Sequence, residues 1–337
     1  MEEADGELPS SKTCGSCGRT GTDLKICTAC RLVHYCNVTC QKAHRKAHKD
    51  DCKVMAHAKE VMKEFKANPM TEECPLCMRP LPLGADESRY HVCCGKVICD
   101  GCAVAHRMAQ SKLTCLVQTQ KVQVLPLPCP FCRCPNLTRA SAEEELELYA
   151  ERAEKHGDST AVATMAALYR EGKIVQKDDA KAFECYIKAS DMGNPHGMYN
   201  AGVSYLVGTG VSVDKERAKA YFEMAARKGH VLALMGLFLV HTDNHNEVAI
   251  LYKRLAAENG DEEAMESLKK GYRLSTDGTS NHSNKCLCDV CKIIKTEGLL
   301  TKEDLAATIR AFHAAQKELR SDERDFARGL AERVRLG

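Results

Sequence analysis

The chain has 337 residues, a 44% hydrophobic share, 21 Cys, 10 Pro, no Trp and a formal net charge of +2. At roughly 100–200 residues per domain, that length allows two or three folded units. Its longest apolar run, residues 231–240, is too short to span a bilayer and reads as a buried helix, so no membrane association is expected. The acidic start Met1-Glu2-Glu3-Ala4-Asp5 lacks the apolar core of a secretory signal.

Seventeen of the cysteines lie between Cys14 and Cys134, most of them as Cys-x2-Cys pairs. That is the spacing of zinc knuckles rather than of a secreted disulfide framework, and it predicts a soluble protein of a reducing compartment, cytoplasmic or nuclear. Zinc changes the charge balance. Fifteen ligating thiolates subtract fifteen charges and four dications return eight, which takes +2 to −5. A mildly acidic holoprotein is a poor binder of phosphate backbones, so Lys42-Ala43-His44-Arg45-Lys46 reads as a solvated helix face and nucleic acid is not an expected partner.

The first cluster covers residues 14–52. Its candidate ligands are Cys14 and Cys17, Cys27 and Cys30, Cys36 and Cys40, then His48 and Cys52. A two-residue gap lets both sulfurs of a tight turn reach one metal, whereas the three-residue gaps place two side chains one turn apart on a helix face. Two short helices should therefore carry Cys36, Cys40, His48 and Cys52. Tyr35-Cys36-x3-Cys40-Gln41-Lys42-Ala43, followed by His48-Lys49 and Cys52, resembles a MYND zinc finger. That resemblance implies one zinc held by Cys14, Cys17, Cys36 and Cys40 and a second held by Cys27, Cys30, His48 and Cys52. The family often has Trp three residues before the histidine ligand, where this chain has Arg45. His34 and His44 fall outside the pattern and read as surface or packing residues. Apolar residues at helical spacing from Val54 to Phe65 predict a short helix within a linker of residues 53–72.

The second cluster, residues 74–134, runs Cys74-Pro75-Leu76-Cys77, then Cys93-Cys94-Gly95-Lys96-Val97-Ile98-Cys99, Cys102, and Cys129-Pro130-Phe131-Cys132-Arg133. It resembles an all-cysteine RING finger. The resemblance implies one zinc on Cys74, Cys77, Cys99 and Cys102 and another on Cys93, Cys94, Cys129 and Cys132, four ions in all with the first finger. Adjacent Cys93 and Cys94 need a local twist to reach one metal; His91 is the alternative to Cys93, and Cys134 could compete with Cys132. Cys115 reads as a small apolar residue of the central helix.

Beyond residue 141 the composition shifts to Ala, Gly, Glu and Lys. Ser141-x2-Glu144 is a capping-box signature that predicts a helix to about Lys155. A repeat then appears: Gly157, Gly193 and Gly229 are spaced by 36 and Gly260 follows 31 later, with Tyr169, Tyr205, His241 and Tyr272 each twelve residues on. The first two units share a glycine link, Gly172-Lys173-Ile174-Val175 and Gly208-Thr209-Gly210-Val211, which the third lacks around Thr242-Asp243-Asn244. Such a unit cannot bury its own apolar stripe, so neighbours must stack into a solenoid. The pattern resembles Sel-one-like repeats, relatives of the tetratricopeptide family. The expected fold class is small zinc-stabilised α+β fingers followed by an all-α helical-repeat solenoid, with repeats over 141–273. Tyr199, Ser204, Met235 and Phe238 should divide between its core and an inner face.

Residues 274–337 read as a loop and C-terminal capping helices. His282, Cys286, Cys288 and Cys291 are a crowded set for which free thiols near a loop is the simpler reading, and Thr301-Lys302-Glu303-Asp304 opens a helix that should cap the solenoid. No catalytic residue is assigned, because complete ligand sets leave no zinc position for water and neither a phosphate-cradling glycine loop nor a nucleophile elbow is present. MYND fingers accompany lysine methyltransferases, but the helical repeats leave no room for that catalytic domain. The expected function is a zinc-binding scaffold or adaptor whose partners are proteins or peptides. The alternative implied by the second resemblance is a RING-type ubiquitin-protein ligase. Leu76 and Arg133 would then contact a ubiquitin-conjugating enzyme or ubiquitin, and Leu125 or Leu127 would complete the surface.

Overall fold

The structure, a computed structural model, describes residues 12–30, 33–68, 72–83, 87–117, 128–134, 142–173, 175–242, 246–276, 300–320 and 324–325. It divides into two compact units, Met1–Ala67 and Asn68–Gly337.

The first unit is built from two minimal antiparallel ribbons and one long helix. Strand β1 (Lys12–Thr13) pairs with β2 (Thr20–Gly21), and β3 (Lys25–Ile26) with β4 (His34–Tyr35). Helix α1 then runs without a break over Val38–Ala67. The two short helices and the separate linker helix predicted from the sequence are therefore one element. No Pro or Gly interrupts its span, and Met55, Ala58, Val61 and Phe65 continue a buried stripe beyond the cysteines.

The second unit joins the second cysteine cluster to the helical array. Strands β5 (Ser88–His91) and β6 (Lys96–Cys99) form a hairpin with His91 opposite Lys96, and α2 (Asp100–Val117) follows directly. Ile98 and Ala103 pack with Cys74 and Cys99 into a small core that Leu81 and Phe131 cover. A fold this small needs metal or another staple to persist.

The array comprises α3 (Ala142–His156), α4 (Ser159–Glu171), α5 (Asp179–Asp191), α6 (Pro195–Val207), α7 (Lys215–Arg227), α8 (Val231–His241), α9 (Asn246–Glu258) and α10 (Glu262–Thr276). Each helix packs on its neighbours in sequence, and α11 (Lys302–Leu319) closes the row against α9 and α10. The period has a local cause. The four repeat glycines have φ between +59° and +95°, a left-handed turn that only glycine makes without strain. The next residue then caps the following helix: Asp158 accepts from Thr160 and Ala161, Asn194 from Gly197, and Asp261 from Ala264. His230 occupies the fourth such position without a side-chain cap bond; its Nε2 lies 3.1 Å from His196 Nδ1, and its ring stacks on Tyr199.

Small residues between the layers admit large rings. A methyl added to Gly202 or Gly236 would fall 2.8 Å or 2.7 Å from the Phe222 ring, which is fully buried between α6 and α8. The aromatic repeat positions are packing residues too: Tyr205 stacks on Tyr221 and His241 on Tyr252. Ser204 and Phe238 are buried, whereas Tyr199 and Met235 are half-buried. Helix α11 opens with the reciprocal capping box of Thr301 and Asp304, and Gln316 donates to the Gly260 carbonyl at 2.8 Å. Ser141, residues 243–245 and the set His282, Cys286, Cys288 and Cys291 lie outside the described residues.

Truncating Phe222 to Ala should remove the plate between α6 and α8 and cost about 3–5 kcal/mol, read as a lower urea midpoint for the second unit. Gly236→Ala should also destabilise, by about 1–3 kcal/mol, through overpacking against the same ring.

Candidate metal centres

Four groups of side chains converge so that the ligand atoms within each lie within 4.8 Å of one another: Cys14, Cys17, Cys36 and Cys40; Cys27, Cys30, His48 and Cys52; Cys74, Cys77, Cys99 and Cys102; and Cys93, Cys94, Cys129 and Cys132. All seventeen described cysteines are free thiols. The separations identify what the groups suit. Cys17 and Cys36 Sγ are 3.5 Å apart, Cys27 and Cys52 3.8 Å, Cys77 and Cys99 3.9 Å, and Cys94 and Cys129 3.7 Å. A tetrahedron with metal–sulfur arms near 2.3 Å has an edge of about 3.8 Å, whereas a disulfide requires about 2.05 Å. Cys30 Sγ lies 3.5 Å from His48 Nε2, shorter as the shorter metal–nitrogen arm requires. Thiolates with one imidazole are the donor set zinc favours.

One backbone device serves three of the cysteine pairs. The amide of Cys14 donates to Arg19 O, that of Cys74 to Arg79 O and that of Cys129 to Cys134 O; Gly18, Met78 and Arg133 donate back to the first cysteine's carbonyl. Each of those three residues is left-handed, with φ of +74°, +54° and +57°. The turn also aims N–H groups at sulfur. The amide of Cys17, joined by those of Ser16 and Cys36, draws the Cys14 thiol down to about 6 against the effect of burial. Burial pushes Cys74 up, but the amides of Cys77, Cys99 and Leu76 outweigh it and leave the thiol at about 7. Burial raises Cys36 and Cys52 to about 12, and the neighbouring thiols add to the rise. A dication among them reverses that cost by favouring every thiolate. Burial, with His44 beside it, lowers His48 and keeps its imidazole neutral and able to ligate near pH 7.

The adjacent Cys93 and Cys94 sit on the tip of the β5–β6 hairpin, where Cys94 and Gly95 both donate to His91 O and Gly95 has φ +70°. That tight turn rotates neighbouring side chains toward one point. His91 is outside the fourth group and packs edge-on to Phe131 at 6.4 Å, and Cys134 is outside it as well. In the first unit His44 accepts no ligand position; its Nδ1 meets Tyr35 Oη at 3.1 Å and its ring stacks on His48. Leu76 and Met78 are 43% and 70% exposed on the Cys74–Cys77 turn, and Arg133 is exposed after Cys132. The side chain of Cys115, on α2, and residues Leu125 and Leu127 lie outside the described residues.

Residues with no motif of their own attach the second cluster to both ends of the array. At the first end Asp158, the cap of α4, accepts from Tyr90 Oη and Arg152 Nε, both at 2.8 Å, while Tyr90 stacks on Tyr149. The Arg152 guanidinium lies against Gly95, where a side chain would collide with it. At the other end Arg79 donates to Arg320 O, and Arg324 donates to Pro80 O at 2.7 Å. Neither role of Asp158 is part of the sequence reading, and the contact with Tyr90 has no local signature, because 68 residues separate the two.

Comparison with known proteins divides along the same lines. The MYND finger family matches residues 14–52, and the Sel1 repeat family matches residues 161–194 and 195–230; the chain thus carries both modules, and neither match covers residues 74–134. Histone-lysine N-methyltransferase ASHR1 of Arabidopsis thaliana is 38% identical over 56 residues, 17% of this chain and 12% of that protein. The SET domain and MYND-type zinc finger protein 6 of Schizosaccharomyces pombe is 36% identical over 50 residues, 15% and 10% of the two chains. The match thus spans only about a tenth of these relatives. Among solved structures, a Sel1 repeat protein from Oxalobacter formigenes aligns over 52% of this chain and 64% of its own, at 22% identity and a TM-score of 0.39. MYND fingers and Sel1 repeats are protein-interaction modules. No helix among the described residues is long and apolar enough to cross a membrane.

Metal analysis of the purified full-length chain should find four zinc ions, and Cys36→Ser should remove the first unit's fold without lowering the unfolding midpoint of the array. At Asp158, burial raises the carboxyl, but the bonds from Tyr90 and Arg152 and the amides of Ala161 and Thr160 outweigh it, so its pKa is lowered. A depressed carboxyl contributes stability above its unfolded pKa of about 3.9, and that contribution is lost as pH falls through the folded value. Asp158→Ala should destabilise the second unit by about 3 kcal/mol at pH 7, the sum of a lost cap and a charged hydrogen bond, and its difference from wild type should shrink on acidification.

Proposed function

We propose that this protein is a zinc-binding interaction scaffold, in which the MYND finger and the Sel1 array each bind a protein partner. The observation that carries this reading is the presence of both interaction modules in one chain, together with four ligand groups that are each filled by four protein side chains. Closed tetrahedral sets stabilise a fold and leave no coordination position for an activated water. On the first unit, Ile26 and Val38 are exposed apolar side chains, suited to a short peptide that contains proline. On the array, Val207, Val213 and Leu239 are exposed and offer apolar contacts to a second partner. Binding of a library of proline-containing peptides to the zinc-loaded full chain tests the first half of the proposal. Ligands should be found, and Cys36→Ser should lose them while the array stays folded. If wild type binds none of them, the peptide-binding role of the finger fails.

A second reading, ubiquitin transfer by the cluster at residues 74–134, is supported by its two left-handed non-glycine residues. Met78 and Arg133 stand where Gly18 stands in the first unit, at a cost of about 1 kcal/mol or more each. Their side chains are therefore retained against backbone strain, and both are exposed together with Leu76. A ligase of this type would hold a charged conjugating enzyme in an attack-ready orientation and do no covalent chemistry of its own. Arg133→Gly separates the roles: it should raise stability by about 1 kcal/mol by relieving the left-handed strain, yet slow ubiquitin discharge at least tenfold. Absence of discharge by wild type with a broad panel of conjugating enzymes leaves the scaffold alone.

A further inference from the structure

Three of the four helix starts that follow a repeat glycine hold an Asp or Asn whose side chain accepts from the helix amides: Asp158, Asn194 and Asp261. The fourth, His230, makes no such bond and is 2% exposed. Its ring turns instead to α6. Nε2 lies 3.1 Å from His196 Nδ1, the two imidazoles meet edge to face with centroids 4.8 Å apart, and the His230 ring stacks on Tyr199 at 4.8 Å. Tyr199 in turn packs at 6.0 Å on Phe222, the plate between α6 and α8. One nitrogen of the pair must donate and the other accept, so the contact needs at least one neutral ring. The remaining nitrogen of His230, Nδ1, is buried and has no hydrogen-bond partner among the described residues. A titratable ring thus occupies a buried contact between repeats, at a position where Asn would serve the helix better.

We propose that the His196–His230 contact is an acid-sensitive joint of the array, closed while the rings are neutral and opened when both take up a proton. Two imidazolium rings would each present an N–H at the shared position, which removes the hydrogen bond and sets two cations side by side. Burial lowers the pKa of both rings, that of His230 well below its ordinary value, and His196 adds to the effect at His230. The Glu72 carboxylate acts on His196 in the opposite sense. The first proton therefore goes to His196, and the second, on His230, drives the rings apart. Arg170 from α4 and Asp261 and Glu263 from α10 act on Tyr199, whereas Phe222 of α7 and Ala189 of α5, packed against Tyr199 and Gly197, carry no charge. Rings whose folded pKa lies below the unfolded value of about 6.5 contribute fully above that pH. Their contribution is lost as pH falls through it toward the folded values. Repeats in a stacked array contact mainly their neighbours, so loss of this interface opens the array locally, between α6 and α8.

Hydrogen exchange of the zinc-loaded full-length chain, corrected for intrinsic rates, tests this at about pH 7.5 and about pH 5.5, alongside an imidazole NMR titration of wild type. Protection in α6 and α8 should fall about tenfold at the lower pH, the loss set by one proton taken up over one pH unit below 6.5. Over the same interval α4 and the β5–β6 hairpin should change less than about twofold. His230→Asn supplies the cap that Asn194 makes and cannot titrate, so its protection should be equal at both pH values. Asp261→Asn should respond like wild type, which sets aside the Asp261 carboxyl, itself raised by burial. In wild type the midpoint of the exchange change should coincide with titration of the His230 ring, a comparison that needs no variant. Unchanged protection of α6 and α8, with the rings either protonated or still neutral at the lower pH, would overturn the joint. So would a pH response retained in His230→Asn. Equal losses across β5–β6 and the whole array would overturn it too, since acid would then act on the fold at large rather than on this contact.

Discussion

Bringing four thiols within 4.8 Å of one another is unfavourable for an isolated polypeptide, since each thiolate formed raises the cost of the next. Burial already holds Cys36 and Cys52 near 12. A dication at the centre inverts the sign of every one of those interactions, and its binding free energy becomes folding free energy. Both cysteine clusters place their ligand groups where a dication could act in this way. Their strands are two to four residues long, and their apolar cores hold only a few side chains. Sheets of that size are not stable alone. The amide-donating turns around Cys14, Cys74 and Cys129 prepare the sulfurs to be thiolates, so the backbone and the metal act in the same direction.

The array is organised by a different economy. Its helices carry Ala and Gly where layers meet, which lets Phe222, Tyr186 and Tyr252 lie buried between them as plates. Each left-handed glycine and the cap after it set the angle from one unit to the next. Burial of apolar area then supplies the stability that propensity alone could not, because helices of eleven to fifteen residues are marginal in water. His230 is the exception at a cap position. It gives up the bond to its own helix and packs with His196 and Tyr199, trading a local contact for one between repeats.

The two architectures meet in the second unit, and the junction bears on function. Tyr90, Arg152 and Asp158 bind one end of the array to the hairpin that carries Cys93 and Cys94; Arg79 and Arg324 bind the other end to the turn that carries Cys77. A cysteine cluster that touches both ends of a repeat array limits how far those ends can separate. The exposed Leu76 and Arg133 stay on surfaces of the cluster that these contacts do not use. A partner bound there would therefore be held in a defined orientation to the repeats, which suits an adaptor with more than one partner.

What could be read from the sequence was everything governed by short-range geometry. Paired cysteines two or three residues apart, the glycines that recur with a period of 36, and the helix start at Thr301-Lys302-Glu303-Asp304 are each marked by neighbours within one turn of chain. The extent of α1 was misread as separate helices because ligand spacing marks where metal binds, not where a helix stops. The tertiary structure alone decided that Asp158 serves Tyr90 and Arg152 as well as its own helix, that His91 lies outside the group formed by Cys93, Cys94, Cys129 and Cys132, and that Arg324 lies against Cys77. None of these has a local signature. An arginine near the end of a chain looks like any solvated charge until packing removes its water, and only then does the sulfur cluster it meets become its partner.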